Sequence, residues 1–329
     1  MNDKLPTIVP MNAIVLENAR VCNLRCAACP TTHAVGYPAG FMTMATFRRI
    51  LEHIDRSVFP QCGLTGWGET FLDPNYFAKL RLLKNRGYYV GCTSNAILLD
   101  RQRVERLLVE GLDLLGLSVD LFHLRAGGKT SAEMAKHLRT ALQPLHEQST
   151  GLTVGLNVVV PLSGRDFLFE LLERVEELPL SQVSVIPLIM MPTRELHGEL
   201  MSAAEISELQ QRCIARWPRR RIAFAYLEPP PAGNCRSDVH HNVYVSYDGE
   251  VSPCCTLALE FPNFCFSGMA HRTAILSFGN LAEQPFVEIW ESPDYAAFRR
   301  RFQNGSVPEV CGCCNAWRLL PKEVNRDAH

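Results

Sequence analysis

The segment Cys22-Asn23-Leu24-Arg25-Cys26-Ala27-Ala28-Cys29-Pro30 contains three cysteines with the spacing CxxxCxxC. It follows directly on a short apolar run, residues 13–17, that predicts a β-strand. Three thiolates on a loop at the carboxyl end of a strand can hold three corners of a cubane iron–sulfur cluster and leave one iron without a protein ligand. A zinc knuckle is the alternative, although a closed structural zinc site normally takes four ligands. The segment therefore predicts an iron–sulfur cluster with one iron open to chemistry.

The residues that follow this segment alternate short apolar runs with longer amphipathic stretches, which is the pattern of repeated βα units. Strands are predicted at residues 13–17, 62–65, 88–93, 114–119, 153–160 and 183–189. Helices are predicted at residues 44–54, 76–85, 101–110, 132–147, 167–178 and 203–217. Six such repeats favour an α/β fold, a partial TIM-like (β/α)6 barrel with its site at the carboxyl ends of the strands.

A proline run separates this region from the rest of the chain. In Glu228-Pro229-Pro230-Pro231-Ala232-Gly233, three consecutive prolines and a glycine are incompatible with a helix interior or a central strand. We therefore expect two domains, residues 1–228 and 229–329. In the second domain, Tyr247-Asp248-Gly249 between two alternating runs predicts a β-hairpin. Residues 286–302 are expected to form a final helix.

A second set of cysteines lies in this C-terminal region. It consists of Cys235, the pair Cys254-Cys255 after the hairpin, and Cys311-Gly312-Cys313-Cys314. Four thiolates from separated segments can close all four corners of a cluster, and the hairpin brings the first two segments together. A structural zinc site or unpaired buried cysteines are the alternatives. The set that best satisfies a closed cluster is Cys235, Cys254, Cys311 and Cys314.

The overall composition suits a cytoplasmic enzyme with a small-molecule substrate. The 329 residues, 47% of them hydrophobic, are enough for about two domains. The formal net charge of -1 gives no global field that would attract nucleic acid or an anionic membrane. The sequence has no apolar run near the ~20 residues that span a bilayer, and residues 1–10 lack a signal-peptide pattern. In a reducing compartment, thirteen cysteines indicate metal binding or redox chemistry more than disulfides.

These features resemble the radical SAM (S-adenosylmethionine) superfamily, whose CxxxCxxC loop lies at this place in a partial barrel. The resemblance implies that Cys22, Cys26 and Cys29 hold a 4Fe-4S cluster whose open iron chelates SAM. Reductive cleavage of SAM then gives a 5′-deoxyadenosyl radical that abstracts hydrogen from the substrate. A flavodoxin- or ferredoxin-type electron donor is the implied partner.

The segment Gly66-Trp67-Gly68-Glu69-Thr70 looks like the family's Gly-Gly-Glu-Pro segment, from which Trp67 and Thr70 depart. In the family its small residues let the backbone approach the amino group of SAM, as glycine permits; an ordinary turn is the alternative. The resemblance assigns cofactor contacts to Gly66, Trp67, Gly68 and Glu69. Polar residues at later strand ends are candidates for the ribose and carboxylate of SAM, or are solvated loop residues: Ser94, Asn95, Ser118, Asp120 and Asn157.

The C-terminal region is similar to the SPASM/twitch extension of radical SAM enzymes, in the shorter twitch form that holds one auxiliary 4Fe-4S cluster. The matching residues are Cys235 and residues 245–254, 278–281, 288–290 and 311–314. A full SPASM domain needs further cysteines after the CxxC, and the fifteen residues after Cys314 contain none. The resemblance therefore implies SAM and two 4Fe-4S clusters in total.

The remaining cysteines divide into two groups. Cys62, Cys92 and Cys213 fall inside predicted strands or a helix, where free cysteine behaves as a small hydrophobe. Cys255 is the first candidate for a thiol that donates hydrogen to a substrate radical and Cys313 is the second, with buried packing as the alternative for both.

Three further residues are expected to be structural. Cys265 lies in an aromatic segment, residues 261–266, that is either a packing cluster or a loop over the site. His240 and His241 precede the first strand of the hairpin, where plain structural roles are expected.

The resemblance also bears on the reaction. Twitch relatives without an additional N-terminal domain often act on sugars or aminocyclitols in natural-product pathways. We therefore expect a radical SAM oxidoreductase that carries out a two-electron dehydrogenation of a small carbohydrate-like or aminocyclitol substrate. The alternatives are epimerisation with a cysteine hydrogen donor, peptide modification, and a non-catalytic iron–sulfur electron carrier or scaffold.

Overall fold

The computed structural model describes residues 11–36, 38–121, 130–147, 151–230 and 232–324. Residues 1–10, for which no signal peptide is predicted, and residue 231 of the proline run lie outside these ranges. No helix in the described ranges is both long enough and apolar enough to cross a membrane.

A large curved sheet is the central element. Its parallel strands are β1 (Ala13–Leu16), β2 (Gln61–Leu64), β3 (Tyr89–Ser94), β4 (Leu114–Asp120), β5 (Thr153–Val160), β6 (Gln182–Pro187) and β7 (Ile222–Phe224). Each pairs in parallel with the next strand along the chain. The predicted α/β fold with a parallel sheet is confirmed.

The C-terminal region continues the same sheet. Strand β8 (Asn242–Val245) pairs in parallel with the free edge of β1, and β9 (Val251–Ser252) pairs antiparallel with β8. The order in the described part of the chain is β7-β6-β5-β4-β3-β2-β1-β8-β9. The predicted hairpin is therefore present, and its backbone is hydrogen-bonded to the barrel. A separate small sheet contains β10 (Pro262–Phe264) and β11 (Ala270–Arg272).

Helices cover the outer face of the large sheet. Those in the first part of the chain are α1 (Pro30–His33), α2 (Met44–His53), α3 (Tyr76–Asn85), α4 (Arg101–Val109), α5 (Ser131–Ala141), α6 (Pro144–Glu147), α7 (Arg165–Arg174), α8 (Arg194–Gly198) and α9 (Ala203–Arg216). Two begin with a capping box, formed by Thr130 with Glu133 in α5 and by Ser202 with Glu205 in α9. Such reciprocal bonds satisfy amide groups that the first helical turn leaves unpaired.

The alternation of side chains along the strands creates a lumen. In β4, Leu115, Leu117 and Val119 are fully or nearly fully buried, whereas Ser118 and Asp120 on the other face are half-buried. Alternate residues of β1 to β6 line one cavity, which we call the lumen cavity. The sheet is therefore curled into an incomplete barrel around that cavity.

Two predicted helices are divided at prolines. The predicted final helix, 286–302, is in fact α10 (Phe286–Trp290) and α11 (Pro293–Gln303). Proline cannot donate the intrahelical bond and is favoured in the first turn, so Pro293 starts a new helix. The predicted helix 132–147 is divided in the same way before Pro144. Strand β7 was not predicted, because three residues are too few to show an alternating pattern.

The described C-terminal helices pack on an aromatic cluster that reaches the barrel. The rings of Phe278 and Tyr295 stack with centroids 4.2 Å apart. Phe286 in α10 contacts Phe59, which precedes β2, edge-on at 4.7 Å. Burial of rings of this size contributes strongly to stability. The division into residues 1–228 and 229–329 stays a proposal, with this packing and the β1–β8 pairing as the contact between the two parts.

Candidate active site

The CxxxCxxC loop leaves the carboxyl end of β1 and ends at α1. Its three thiols are half-buried. Burial raises the pKa of Cys22 and of Cys26, and the neighbouring Cys29 thiol raises both further. The structure thus brings the three predicted ligands into one group. Three thiols on one loop that interact electrostatically with one another suit a cluster that keeps one corner free.

The glycines of the segment 66–70 lie against this loop. The backbone amide of Gly68 donates to the Ala19 carbonyl at 3.0 Å, and that of Glu69 donates to the Val21 carbonyl at 2.8 Å. A Cβ on Gly68 would lie 2.4 Å from the Val21 oxygen and 2.5 Å from the Ala19 oxygen. Only glycine fits such a close backbone approach. The segment 66–70 therefore holds in place the backbone that leads from β1 into the cysteine loop.

Glu69 and Ser94 are buried next to the carboxyl ends of β2 and β3. Glu69 is 1% exposed, and burial raises its pKa. Its carboxylate accepts hydrogen bonds from Ser94 Oγ at 2.8 Å and from the backbone amide of Asn95 at 2.8 Å. These bonds hold the ends of β2 and β3 together. Direct contact of Glu69 or Ser94 with SAM stays a prediction.

The side chain of Asn95 reaches the cysteine loop itself. Its Nδ2 donates to Asn23 Oδ1 at 2.8 Å and lies 3.7 Å from Cys22 Sγ. The backbone amide of Leu24 approaches the same sulfur at 3.4 Å. Such N–H···S contacts orient a cluster ligand and tune the cluster that it holds. Asn95 is thus placed next to a predicted ligand, and its predicted contact with SAM remains a proposal.

The other polar candidates lie on β4 and β5. Ser118 and Asn157 are register partners in the paired strands, and Asn157 lines the lumen cavity. Asp120 at the end of β4 lies near the Cys26 thiol, whose pKa its negative charge raises in addition to the effect of burial. The carboxyl end of β4 therefore meets the cysteine loop at the mouth of the barrel. Contact of Ser118, Asp120 and Asn157 with SAM stays a prediction.

Four cysteines line a cavity in the C-terminal region that we call the auxiliary cavity. They are Cys235, Cys254, Cys311 and Cys314. Burial raises the pKa of all four thiols, that of Cys314 to about 11. Cys314 interacts electrostatically with each of the other three. The chain thus gathers the four predicted ligands around one space, as the four corners of a closed cluster require.

The other members of the doubled cysteines lie in different surroundings. Cys255 lines a third cavity, which we call the junction cavity, together with Gly66, Trp67 and Tyr244. Cys313 instead interacts electrostatically with Cys265, which raises the pKa of the Cys313 thiol in addition to the effect of burial. Cys255 and Cys313 therefore lie outside the auxiliary cavity, although Cys254 borders the junction cavity together with Cys255. The assignment of ligands remains a proposal, which this arrangement supports.

The three cavities adjoin one another. Thr65 and Thr93 line both the lumen cavity and the junction cavity. Cys254 lines both the junction cavity and the auxiliary cavity. Trp67 joins the barrel to the C-terminal region, since its Nε1 donates to the backbone carbonyl of Cys255 at 2.8 Å. The segment that resembles a SAM-binding motif is thus bonded directly to the segment that bears two cysteines.

Sequence reasoning missed a buried ion pair at this junction. Glu17 is fully buried and accepts hydrogen bonds from Arg20 at 2.6 and 2.8 Å. Its carboxylate also accepts from the backbone amides of Trp67 and Tyr247, each at 3.3 Å. One side chain therefore joins β1, the segment 66–70 and the hairpin turn. The available signal was a glutamate directly after an apolar strand and three residues before an arginine.

His271 in β11 was also missed. It lines the auxiliary cavity. Burial lowers the pKa of this imidazole and the positive charge of Arg318 lowers it further, so the ring is neutral at pH 7. A lone histidine among polar residues gives no sequence signal of its own.

Three buried cysteines and two histidines that were expected to be structural lie outside the two cysteine sets. All thirteen cysteines are free thiols, and Cys62, Cys92 and Cys213 are buried. His240 bonds to the Gly233 carbonyl at 3.0 Å, and His241 to Asp238 at 2.8 Å. Within these residues, no three His, Cys, Asp or Glu side chains converge on a single-ion site. The ligands of an iron–sulfur cube bind different irons and need not meet at one point.

Comparison with known proteins identifies both halves of this arrangement. Residues 18–156 match the domain of the radical SAM superfamily, and residues 235–315 match SPASM, an iron–sulfur cluster-binding domain. The chain belongs to the radical SAM superfamily. It is a radical SAM enzyme of the SPASM type, which implies SAM and iron–sulfur clusters as cofactors.

Among curated proteins, this radical SAM chain is similar to the tungsten-containing aldehyde ferredoxin oxidoreductase cofactor-modifying protein of Pyrococcus furiosus. The two are 27% identical over 323 residues, which cover 92% of this chain and 87% of the relative. This similarity spans both the barrel and the SPASM region.

Two solved structures share the fold. SuiB of Streptococcus suis, bound to S-adenosylmethionine, has a TM-score of 0.66 and 16% identity, covering 89% of this chain and 68% of that one. BtrN, in complex with AdoMet and 2-DOIA, has a TM-score of 0.53 and 16% identity, covering 97% of this chain and 98% of that one. At these identities the likeness concerns the fold alone.

Proposed function

We propose that this radical SAM enzyme dehydrogenates a small carbohydrate-like or aminocyclitol substrate held in the barrel, in a natural-product pathway. Cys22, Cys26 and Cys29 hold the cluster that binds SAM, and Cys235, Cys254, Cys311 and Cys314 hold one auxiliary cluster. When bound, these groups supply a 5′-deoxyadenosyl radical that abstracts hydrogen and an acceptor for the electron that the substrate then releases. A flavodoxin- or ferredoxin-type donor and a cytoplasmic location belong to the same proposal, because free cysteines suit a reducing compartment.

The polar side chains of the lumen support a hydroxylated substrate. Thr65, Thr93, Asn157 and Ser184 present hydroxyl and amide groups to the lumen cavity. Polar groups of this kind fix the orientation of a ligand through directed hydrogen bonds.

Glycines widen the lumen cavity towards the amino-terminal ends of the strands. Gly63, Gly91, Gly116 and Gly155, one in each of four neighbouring strands, line the lumen cavity. Gly63 pairs with Gly91, and Gly116 with Gly155. Glycine within a strand often marks a place where a ligand approaches the backbone closely.

The observation that carries the proposal is the position of Cys254. It borders both the auxiliary cavity and the junction cavity, which continues into the lumen. An electron leaving a substrate at the junction would therefore have a cluster ligand in the adjoining wall. Dehydrogenation needs such an acceptor, because the substrate loses a second electron after the first hydrogen atom.

Epimerisation is the second candidate, and the position of Cys255 favours it. This residue lines the junction cavity. Burial raises the pKa of its thiol, so it stays protonated at neutral pH and retains a hydrogen to donate. The two candidates differ in whether the substrate radical loses an electron and a proton or gains a hydrogen atom.

A product assay in deuterated solvent separates the two reactions. The protein is incubated anaerobically with SAM, a reductant and a panel of inositols, aminocyclitols and sugars, and products are analysed by mass spectrometry. We expect a product that has lost two hydrogen atoms and carries no solvent deuterium at the reacting carbon. Cys255→Ala should still form it, provided that its iron content is unchanged.

Cys313→Ala tests the second candidate donor, and it should also still form the dehydrogenated product. A product of unchanged mass in normal water that carries one fixed deuterium in heavy water would overturn dehydrogenation, and its loss in Cys255→Ala or in Cys313→Ala would identify the donor for epimerisation.

A further inference from the structure

Besides the four cysteines, a histidine, His271, lines the auxiliary cavity, and the assignment of the cluster ligands gives it no role. His271 lies in β11, opposite Asn263 of β10. Its neighbours in the strand, Ala270 and Arg272, are exposed, so the alternation of the strand turns His271 to the other face. Both His271 and Asn263 line the cavity that the four cysteines share.

The Nδ1 atom of His271 is buried and has no hydrogen-bond partner among the described residues. Other polar side chains on the same wall have partners. Thr273 Oγ1 donates to the Leu259 carbonyl at 3.0 Å, and Asn315 Nδ2 donates to the Ile189 carbonyl at 2.8 Å. A buried nitrogen without a partner is costly, so native structures normally provide one. The cavity beside His271 is the space that an iron–sulfur cluster would fill.

We propose that His271 donates an N–H···S hydrogen bond to the auxiliary cluster and thereby stabilises its reduced form. The inference rests on the proposed function, since it requires a cluster in this cavity. Four cysteinates give such a cluster a net negative charge, which grows by one when the cluster accepts an electron. Hydrogen bonds to the sulfurs are among the features that set the reduction potential. A donor held by the protein favours the more negative, reduced state.

The charge around the cavity acts in the same direction. The guanidinium of Arg318 interacts electrostatically with His271 and with Cys314. It stacks on Trp317 at 4.6 Å, and Trp317 lines the auxiliary cavity. A cation next to the cluster raises its potential, whatever His271 does. Together the two side chains would make the auxiliary cluster a better electron acceptor, as dehydrogenation requires.

The test is a redox titration monitored by electron paramagnetic resonance. It is carried out on the full chain and in a Cys22→Ala, Cys26→Ala, Cys29→Ala background that isolates the auxiliary signal. His271→Phe keeps a ring and removes the donor, and His271→Gln keeps an N–H group. His197→Phe is the matched control, because it removes an imidazole that packs against Phe264 at 6.2 Å.

We expect His271→Phe to lower the equilibrium constant for reduction of the auxiliary cluster about tenfold, which is about 59 mV for a one-electron couple. The reduction potential of His271→Gln should stay close to that of the wild type, and that of His197→Phe should be unchanged. An unchanged potential in His271→Phe with its cluster intact would overturn the inference. Loss of the cluster in both His271 variants would also overturn it, in favour of a ligand role. A wild-type protein without an auxiliary cluster would instead refute the proposed function.

Discussion

Replacing Cys22, Cys26 and Cys29 together by alanine is expected to abolish reductive cleavage of SAM. The three thiols lie on the loop after β1, where burial and the Cys29 thiol raise the pKa values of Cys22 and Cys26. Without them no protein ligand remains at this place to hold the cluster whose open iron binds SAM. Formation of 5′-deoxyadenosine, measured by chromatography after anaerobic reduction, should fall to the background of a protein-free sample.

The control for this result is Cys313→Ala, which removes a thiol outside the loop. It should cleave SAM at the wild-type rate. A circular dichroism spectrum of the triple variant checks that the barrel still folds, since half-buried loop thiols contribute little to the core. Continued formation of 5′-deoxyadenosine by a folded triple variant would contradict the assignment of the first cluster.

Gly68→Ala is expected to weaken SAM binding at least tenfold, or about 1.4 kcal/mol. The added Cβ would lie 2.4 Å from the Val21 carbonyl oxygen, a distance that only a backbone shift can relieve. The shift would break the bond of 3.0 Å from the Gly68 amide to Ala19 and displace the cysteine loop. Equilibrium dialysis of labelled SAM against the reconstituted protein measures the loss.

Gly155→Ala is the matched control, because it also adds a methyl group to a glycine of the barrel. Its Cβ would lie 3.8 Å from the nearest atom, the Gln182 oxygen, which is an ordinary contact. This variant should bind SAM as the wild type does. Equal SAM affinity in the wild type and in Gly68→Ala would show that the segment 66–70 does not position the loop.

Local patterns predicted most of the barrel. The alternation in residues 153–160 gave strand β5 with its observed bounds, because one face packs on helices and the other lines the lumen. Helix α3 was also predicted with its observed bounds, Tyr76–Asn85. Such patterns are strong when a segment is long enough to repeat its period. Strand β7, with three residues, is too short to repeat its period. The break at Pro293 was overlooked because the apolar period of the helix continues across it.

Contacts between distant parts of the chain could not be predicted in this way. The sequence indicated which cysteines form sets, but the pairing of β8 with β1 depends on the packing of the whole molecule. The bond from Trp67 to Cys255 spans 188 residues. Likewise, only the folded chain shows that Cys255 faces the junction cavity while Cys313 interacts electrostatically with Cys265. His271 has no motif around it, and its buried nitrogen becomes visible only beside the four cysteines.

The iron and sulfide content of the anaerobically reconstituted protein tests most directly the central claim that two separate cysteine sets hold two clusters. The account predicts about eight irons and eight sulfides per chain for the wild type. The content of Cys254→Ala should fall towards about four irons and four sulfides, because a missing thiolate destabilises the auxiliary cluster. Cys255→Ala, its matched neighbour, should keep about eight. A wild type with about four irons, or loss of iron in Cys255→Ala but not in Cys254→Ala, would contradict the account.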